Sequence, residues 1–295
     1  MQGHQITATF LKPFSSYSGL RKIRIDNILK LCEPVFECPF GSPRFLDAIR
    51  NETSWDMLCH HAADVSDYKS PDFDFSEALR KNTMNIKQVI PLLKQHHCDR
   101  LLLTGSVFEQ GEGEGSDNLQ AVSPYGLSKG LTSDVFRYFC AINGMRLGKF
   151  VIPNPFGPYE EFRFTSFLAQ NWLQGKEAAV SHPDYVRDNI PVSLLAKSYA
   201  RFTQSLESSA GFTKINPSFR PESQGKFTQH FANEMRKHLS LPCALKLNQQ
   251  KEFPEPKVRI NTNPIDPQSL HWNENAFWDT LAAFYIQMFR SDKVS

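Results

Sequence analysis

The sequence predicts an α/β fold, a doubly wound parallel sheet with a smaller domain toward the C-terminus, and three observations carry that expectation. Short apolar segments alternate with helical patterns over the first half of the chain, as strand–helix–strand units require. Leu101, Leu102 and Leu103 form a continuous apolar run ending in Thr104 and Gly105, which reads as a strand buried on both faces. Such a strand delivers a hydroxyl at its C-terminal end, where open α/β sheets hold their ligands. Beyond Asn154 the pattern changes to an aromatic-rich helix and short strands separated by Pro and Ser, so a second, smaller domain is expected there.

A chain of 295 residues can bury a core of that size. With 40% hydrophobic and 22% charged residues it falls among soluble globular proteins. Its net charge of +2, without a run of like charges, argues against nucleic acid as a partner. No segment has the pattern of a signal peptide, and no apolar run approaches the ~20 residues of a membrane-crossing helix, so no membrane partner is expected. Cysteines at 32, 38, 59, 98, 140 and 243 show no metal-like spacing. Cys59 and Cys140 stand in apolar surroundings, as reduced core thiols do, and a cytoplasmic location follows.

Taken in order, Gln5–Leu11 reads as the first strand, followed by Lys12, Arg21, Lys22 and Arg24. Glu33–Glu37 is a short edge strand, because Pro34 would be costly in a central one. A short helix over Arg44–Arg50 precedes a buried strand at Trp55–Ala63. Its His60 and His61 lack a third ligand at a suitable spacing, so no metal is expected. Phe75–Gln95 reads as one long helix containing Asn82. After the Thr104 strand, Gly111, Gly113 and Gly115 lie in an acidic loop. Ser123 and Pro124 announce a helix start, and the helix from Tyr125 to Asn143 carries an apolar face that includes Leu131, Val135, Phe136 and Cys140. Arg146–Ile152 is a strand stopped by Pro153-Asn154-Pro155. Further helices are expected over Phe162–Lys176, from the turn at Gln224–Thr228 through His238, and over Asn275–Arg290.

Tyr125 and Lys129 stand four residues apart, which puts both side chains on one helix face. A tyrosine with an ordinary pKa of roughly 10 is protonated at neutral pH, and a fixed ammonium beside it favours the phenolate and makes it a usable base. A nearby hydroxyl such as Thr104 can then hold the substrate oxygen. The spacing alone also fits two surface neighbours, so the weight rests on what surrounds it.

Four stretches follow one another in order: Thr104-Gly105-Ser106-Val107-Phe108, Ser123-Pro124-Tyr125-Gly126-Leu127-Ser128-Lys129, Asn154-Pro155-Phe156-Gly157-Pro158 and Arg187-Asp188-Asn189-Ile190. In that order they resemble the landmarks of the extended short-chain dehydrogenase/reductases, the NAD-dependent epimerase/dehydratase family. The resemblance implies a Rossmann-like fold, with a dinucleotide-binding domain over 1–160 and a mainly substrate-binding domain over 161–295 from which some segments return to the first. It implies NAD or NADP as cofactor, a nucleotide-linked sugar as substrate, and a homodimer formed through the helices at 75–95 and 125–143. On this pattern Tyr125 is the base, Lys129 lowers the phenol's pKa and holds the nicotinamide ribose, and Thr104 bonds the reacting oxygen. Trp55–Ala63 is similar to the family's VIHLAA segment, which places Ala62 and Ala63 against the cofactor, and the resemblance adds Pro153. Asn82 falls where the family has a cofactor contact, though a surface or capping asparagine fits equally. Asn154, and Arg187 in a stretch similar to RDFIHV, are expected on the substrate, with Arg259 as a second diphosphate ligand. Guanidinium groups suit bidentate phosphate recognition.

The sequence departs from the family in several places. The strand, GxxGxxG turn and helix that open the family's fold have no counterpart before Gln5, and the acidic loop at Gly111–Gly115 would repel a pyrophosphate. Either further residues precede the start as given, which is the preferred reading, or the chain is a truncated product with a damaged cofactor site. Loss of a strand from the centre of the sheet should leave two unpaired edges. The cations after the first strand suit the 2′-phosphate of NADP or are plain loop charges, so NAD and NADP both stand. Asn189 replaces an aromatic residue and Ser193 an acid. Gly105-Ser106 stands where 4,6-dehydratases of the family carry Asp-Glu, which disfavours dehydration and leaves an epimerase or a 4-keto reductase. The alternative is a catalytically silent relative that binds a nucleotide sugar or a protein partner.

Overall fold

The computed structural model of the chain describes residues 3–209, 211–252 and 254–290. In chain order the elements are β1 (Thr7–Thr9), α1 (Gly19–Ile28), β2 (Glu33–Val35), α2 (Pro43–Arg50), β3 (Leu58–His60), α3 (Phe75–Asn82), α4 (Ile86–Gln95), β4 (Arg100–Ser106) and β5 (Glu114–Gly115). There follow α5 (Pro124–Ile142), β6 (Arg146–Ile152), β7 (Asn154–Phe156), α6 (Phe164–Leu173), β8 (Ala178–Val180), β9 (Val186–Pro191), α7 (Val192–Ser205) and β10 (Phe212–Ile215). The last are β11 (Pro217–Ser218), β12 (Arg220–Ser223), α8 (Gln224–Leu239), β13 (Leu245–Leu247), β14 (Val258–Ile260), β15 (Asn263–Pro264) and α9 (Glu274–Arg290). The chain divides into two compact units. One is the chain up to Gly105 with Ser123–Phe150 and Thr203–Lys214; the other is Ser106–Val122, Val151–Phe202 and the chain from Ile215 on.

In the first unit a sheet runs in the order β10-β6-β4-β3. The apolar run at 101–103 lies in β4, buried along its whole middle as a parallel strand covered on both faces must be. β3 pairs with β4 in parallel, with Leu58 opposite Leu101 and His60 opposite Leu103. Phe45, Leu46, Val89, Ile90 and Phe136 from α2, α4 and α5 close over Leu101 and Leu103 to make this unit's core. The doubly wound α/β arrangement expected from the alternation of strands and helices is thus present.

Among the described residues β1 pairs with β2 alone, in parallel, as a separate two-stranded sheet. A doubly wound sheet of order 3-2-1-4-5-6 would place β2 and β1 first and β3 after an intervening strand. Among the described residues no strand bridges β1 and β3, so each is hydrogen-bonded on one side. The surroundings carry the consequence: Ile6, Leu11, Ile23 and Leu31 stay exposed, and within α1 only Ile25 is buried. An apolar helix face has no continuous sheet to lie on there.

Three expectations are corrected. Cys59, expected in the core, is exposed in β3, a strand paired on one side, whereas Cys140 is buried as expected. The long helix over 75–95 is two helices, α3 and α4, because Asn85 takes a left-handed backbone at φ 52° and its side chain binds the carbonyl of Gly41 at 2.8 Å. Gly41 comes so near that a Cβ there would lie 1.8 Å from the Met84 carbonyl oxygen. The strands over 5–11 and 55–63 contract to β1 and β3, since a ladder persists only where a partner strand runs alongside.

The second unit is built on β9, which pairs with β12 in antiparallel and with β14 and β7 in parallel; β5 extends the sheet from β14. Phe227 and Phe231 of α8 and Phe277 and Trp278 of α9 surround Phe156, with ring centroids between 5.3 and 6.1 Å away. Such edge-to-face and tilted rings give this core its specific packing. Among the described residues no helix is long and apolar enough to cross a membrane, and no cluster of His, Cys, Asp and Glu could hold a metal ion.

Candidate active site

The parallel register that sets His60 opposite Leu103 brings the next two residues, His61 and Thr104, side by side where the strands end. Thr104 Oγ1 and His61 Nδ1 lie 2.8 Å apart. The helix that answers them starts at a well-formed cap: Ser123 Oγ accepts the N–H of Gly126 at 3.3 Å, and Pro124 occupies a position where no N–H is needed. Tyr125 therefore sits in the first turn of α5 and Lys129 one turn later. Lys129 is 4% exposed, and its Nζ donates to the Thr104 carbonyl at 2.5 Å. The Tyr125 ring meets Tyr68 and Phe73 edge-on, at 5.5 and 6.0 Å between centroids.

His60, one residue earlier, is 3% exposed between the rings of Phe40 and Phe136, at 4.5 and 4.7 Å. Its Nε2 is 3.2 Å from the Asn82 carbonyl, which can only accept, so Nε2 carries the proton and Nδ1 is bare. Burial first, and then the Lys129 ammonium, hold its pKa down at about 3. His60 is a neutral packing residue. Asn82 works on the same framework: its Nδ2 donates to Thr132 Oγ1 and its Oδ1 accepts the N–H of Asp64, fixing the loop that carries Ala62 and Ala63. A cavity of about 440 Å³ opens along 64–81, but Asp64, Asp67, Asp72, Asp74 and Glu77 line it with Lys81 as the single cation. That wall repels a diphosphate, so the nucleotide is not placed there.

In the second unit Pro153 is buried where β6 ends. Asn154 Nδ2 donates to Asn189 Oδ1 at 2.6 Å. Arg187 is ion-paired to Glu255 at 2.9 Å and donates to the carbonyls of Val186 and Lys257. Arg259, expected as a diphosphate ligand, has another task. It is 1% exposed, and its guanidinium binds Asp117 and the carbonyls of Val107, Glu109 and Gln120. With its donors spent on the loop at 106–122, it is an anchor for that loop.

The sequence signature of the NAD dependent epimerase/dehydratase family matches residues 3–211. The chain belongs to this family. No curated protein matches it at a significant level. Among solved structures it is similar to a UDP-glucose 4-epimerase from Stenotrophomonas maltophila, with 16% identity, 98% of this chain and 93% of the other covered, and a TM-score of 0.71. A UDP-glucuronic acid 4-epimerase from Bacillus cereus follows at 14% identity, 96% and 91% coverage and a TM-score of 0.70. The UDP-Glc/GlcNAc 4-epimerase from Campylobacter jejuni stands at 16% identity, 97% and 93% coverage and 0.68. At such identities the likeness establishes the fold.

The family's cofactor is a dinucleotide. The buried ammonium of Lys129 and the small side chains at 62 and 63 suit the nicotinamide side. Among the described residues no glycine-rich turn leads from a strand into a helix to meet a pyrophosphate. Gly113, at φ +70°, serves packing instead: a Cβ there would lie 2.1 Å from the carbonyl oxygen of Ile260. The one residue at the site that sequence reasoning passed over is His61, read only as half of a weak metal pair.

Proposed function

We propose that the chain is an NAD(P)-dependent epimerase or 4-keto reductase acting on a nucleotide-linked sugar. The observation that carries this reading is the Lys129–Thr104 hydrogen bond, which ties α5 to the end of β4 one turn after Tyr125. Tyr125 takes the proton from a sugar hydroxyl, the Lys129 ammonium favours the phenolate that must form, and Thr104 Oγ1 bonds the reacting oxygen. Bound nicotinamide supplies the hydride acceptor and donor. Lys129 would hold its ribose, Ala62 and Ala63 would allow its close approach, Pro153 is also assigned to the cofactor, and Asn82 holds the loop at 62–64 in place. In the second unit, Asn154 is assigned to the sugar and Arg187 to a phosphate, which requires Arg187 to exchange Glu255 for its ligand. The UDP-sugar 4-epimerases it is similar to support the epimerase and a uridine nucleotide. Six thiols without a disulfide suit a reducing cytoplasm.

The test is a panel of nucleotide sugars offered with NAD or NADPH, read by nicotinamide absorbance and by the sugar product. Turnover of any member supports the enzyme. A silent binding protein is the second reading, favoured by the Arg187–Glu255 pair. It predicts calorimetric binding of a nucleotide sugar without turnover, and a protein that neither turns over nor binds ends both readings.

The proposed homodimer has a face to use. Tyr138 and Ile142 stand one turn apart on α5, each 61% exposed, and Phe75 is exposed on α3, which packs against α5. Ile142→Lys is expected to shift the sedimenting species from dimer to monomer. A parent that sediments as a monomer removes the dimer.

A further inference from the structure

The segment Leu58-Cys59-His60-His61-Ala62-Ala63 follows the VIHLAA pattern in its second half except at His61, where that pattern has leucine. The structure gives this departure a partner. His61 Nδ1 lies 2.8 Å from Thr104 Oγ1, while the backbone carbonyl of the same threonine is taken by Lys129. A hydroxyl has one proton and two acceptor positions, so a hydrogen bond to an imidazole stops its rotation and aims the remaining capacity to one side. We infer that His61 is a positioning residue for Thr104, holding its hydroxyl in the orientation that meets the reacting oxygen of the ligand. The inference rests on the role proposed above for Thr104.

The chemistry of the imidazole suits the task. His61 is exposed as a residue, yet the protein packed about its ring, and after that the Lys129 ammonium, hold its pKa below the ordinary histidine value. It is therefore neutral near pH 7, with one ring nitrogen donating and the other accepting. When Nδ1 accepts the hydroxyl proton, Thr104 offers lone pairs to an alcohol on the ligand. When Nδ1 donates, Thr104 offers its proton to a carbonyl. A single pair thus serves the reacting oxygen in both oxidation states, and leucine at 61 would leave the hydroxyl to turn freely.

The test compares His61→Leu and His61→Asn in the full chain. Loss of one orienting hydrogen bond predicts about a tenfold fall in kcat for His61→Leu with KM little changed. Asparagine, which presents a donor and an acceptor near the position of Nδ1, should recover most of it. In a Thr104→Val background His61→Leu should have no further effect, because the pair acts as a unit. An active parent whose kcat is untouched by His61→Leu overturns the inference and spares the proposed function. A parent that turns over no nucleotide sugar ends the proposed function instead, and the pair is then read by imidazole nitrogen NMR. Thr104→Val should shift the tautomer ratio of His61 and leave that of His60 alone. An unchanged His61 signal overturns the inference.

Discussion

Tyr125→Phe is expected to lower turnover of a nucleotide sugar by about two to four orders of magnitude, the range typical of losing a positioned acid or base. The packing of the ring should persist. The ring contacts with Tyr68 and Phe73 involve ring edges and faces and survive removal of the hydroxyl, and the Lys129–Thr104 bond still ties α5 to β4. The measurement is kcat alongside a thermal melt. A variant that melts with the parent and turns over at the parental rate would remove Tyr125 from the chemistry, and with it the reason for placing an ammonium one turn away.

His60 should make the protein labile to acid between about pH 6.5 and about pH 3. Its folded pKa is depressed to about 3 from an ordinary 6.5, chiefly by burial and next by Lys129. Below pH 6.5 the unfolded chain therefore takes up a proton that the folded chain refuses. Stability is complete above the ordinary value and declines as pH falls toward the folded value, by several kcal/mol over the whole window on the order-of-magnitude scale of such shifts. Urea midpoints at steps between pH 7 and pH 4 check this. His60→Leu cannot bind the proton and so should flatten the slope, although the lost bond to the Asn82 carbonyl lowers stability at pH 7. Parallel slopes for parent and variant would assign the acid sensitivity to other groups. Asp64 and Asp99, whose pKa values are lowered, act further down, below the ordinary carboxylate range.

Much of the first unit was legible because its signals are local. The run Leu101–Leu103 needs only its own composition to read as a buried parallel strand, and β4 is that strand. Ser123 and Pro124 cap a helix through contacts reaching three residues ahead, so α5 starts where expected and Tyr125 and Lys129 fall on its first two turns. Among the described residues β1 and β3 each keep one unpaired side, as expected where no strand joins the two sheets. What escaped were outcomes that depend on a distant chain. Arg259 looked like a phosphate ligand because guanidinium chemistry suits phosphate, yet Asp117, 142 residues away, claims it. The break after Asn82 depends on Gly41 meeting Met84 and Asn85, and helical periodicity over 75–95 contains no trace of that approach.

By itself the sequence determined the strand that bears Thr104, the helix that bears Tyr125 and Lys129, and the order of motifs that marks the family. Each of these is decided by residues within a turn or two of one another. Only the tertiary structure decided that Lys129 closes onto the Thr104 carbonyl, that His61 finds the Thr104 hydroxyl 43 residues on, and that Arg259 is spent inside the protein. Those pairings follow from strand register and from which segments pack together, and a hydrogen bond between residues far apart in the chain exists only after that packing has brought them within reach.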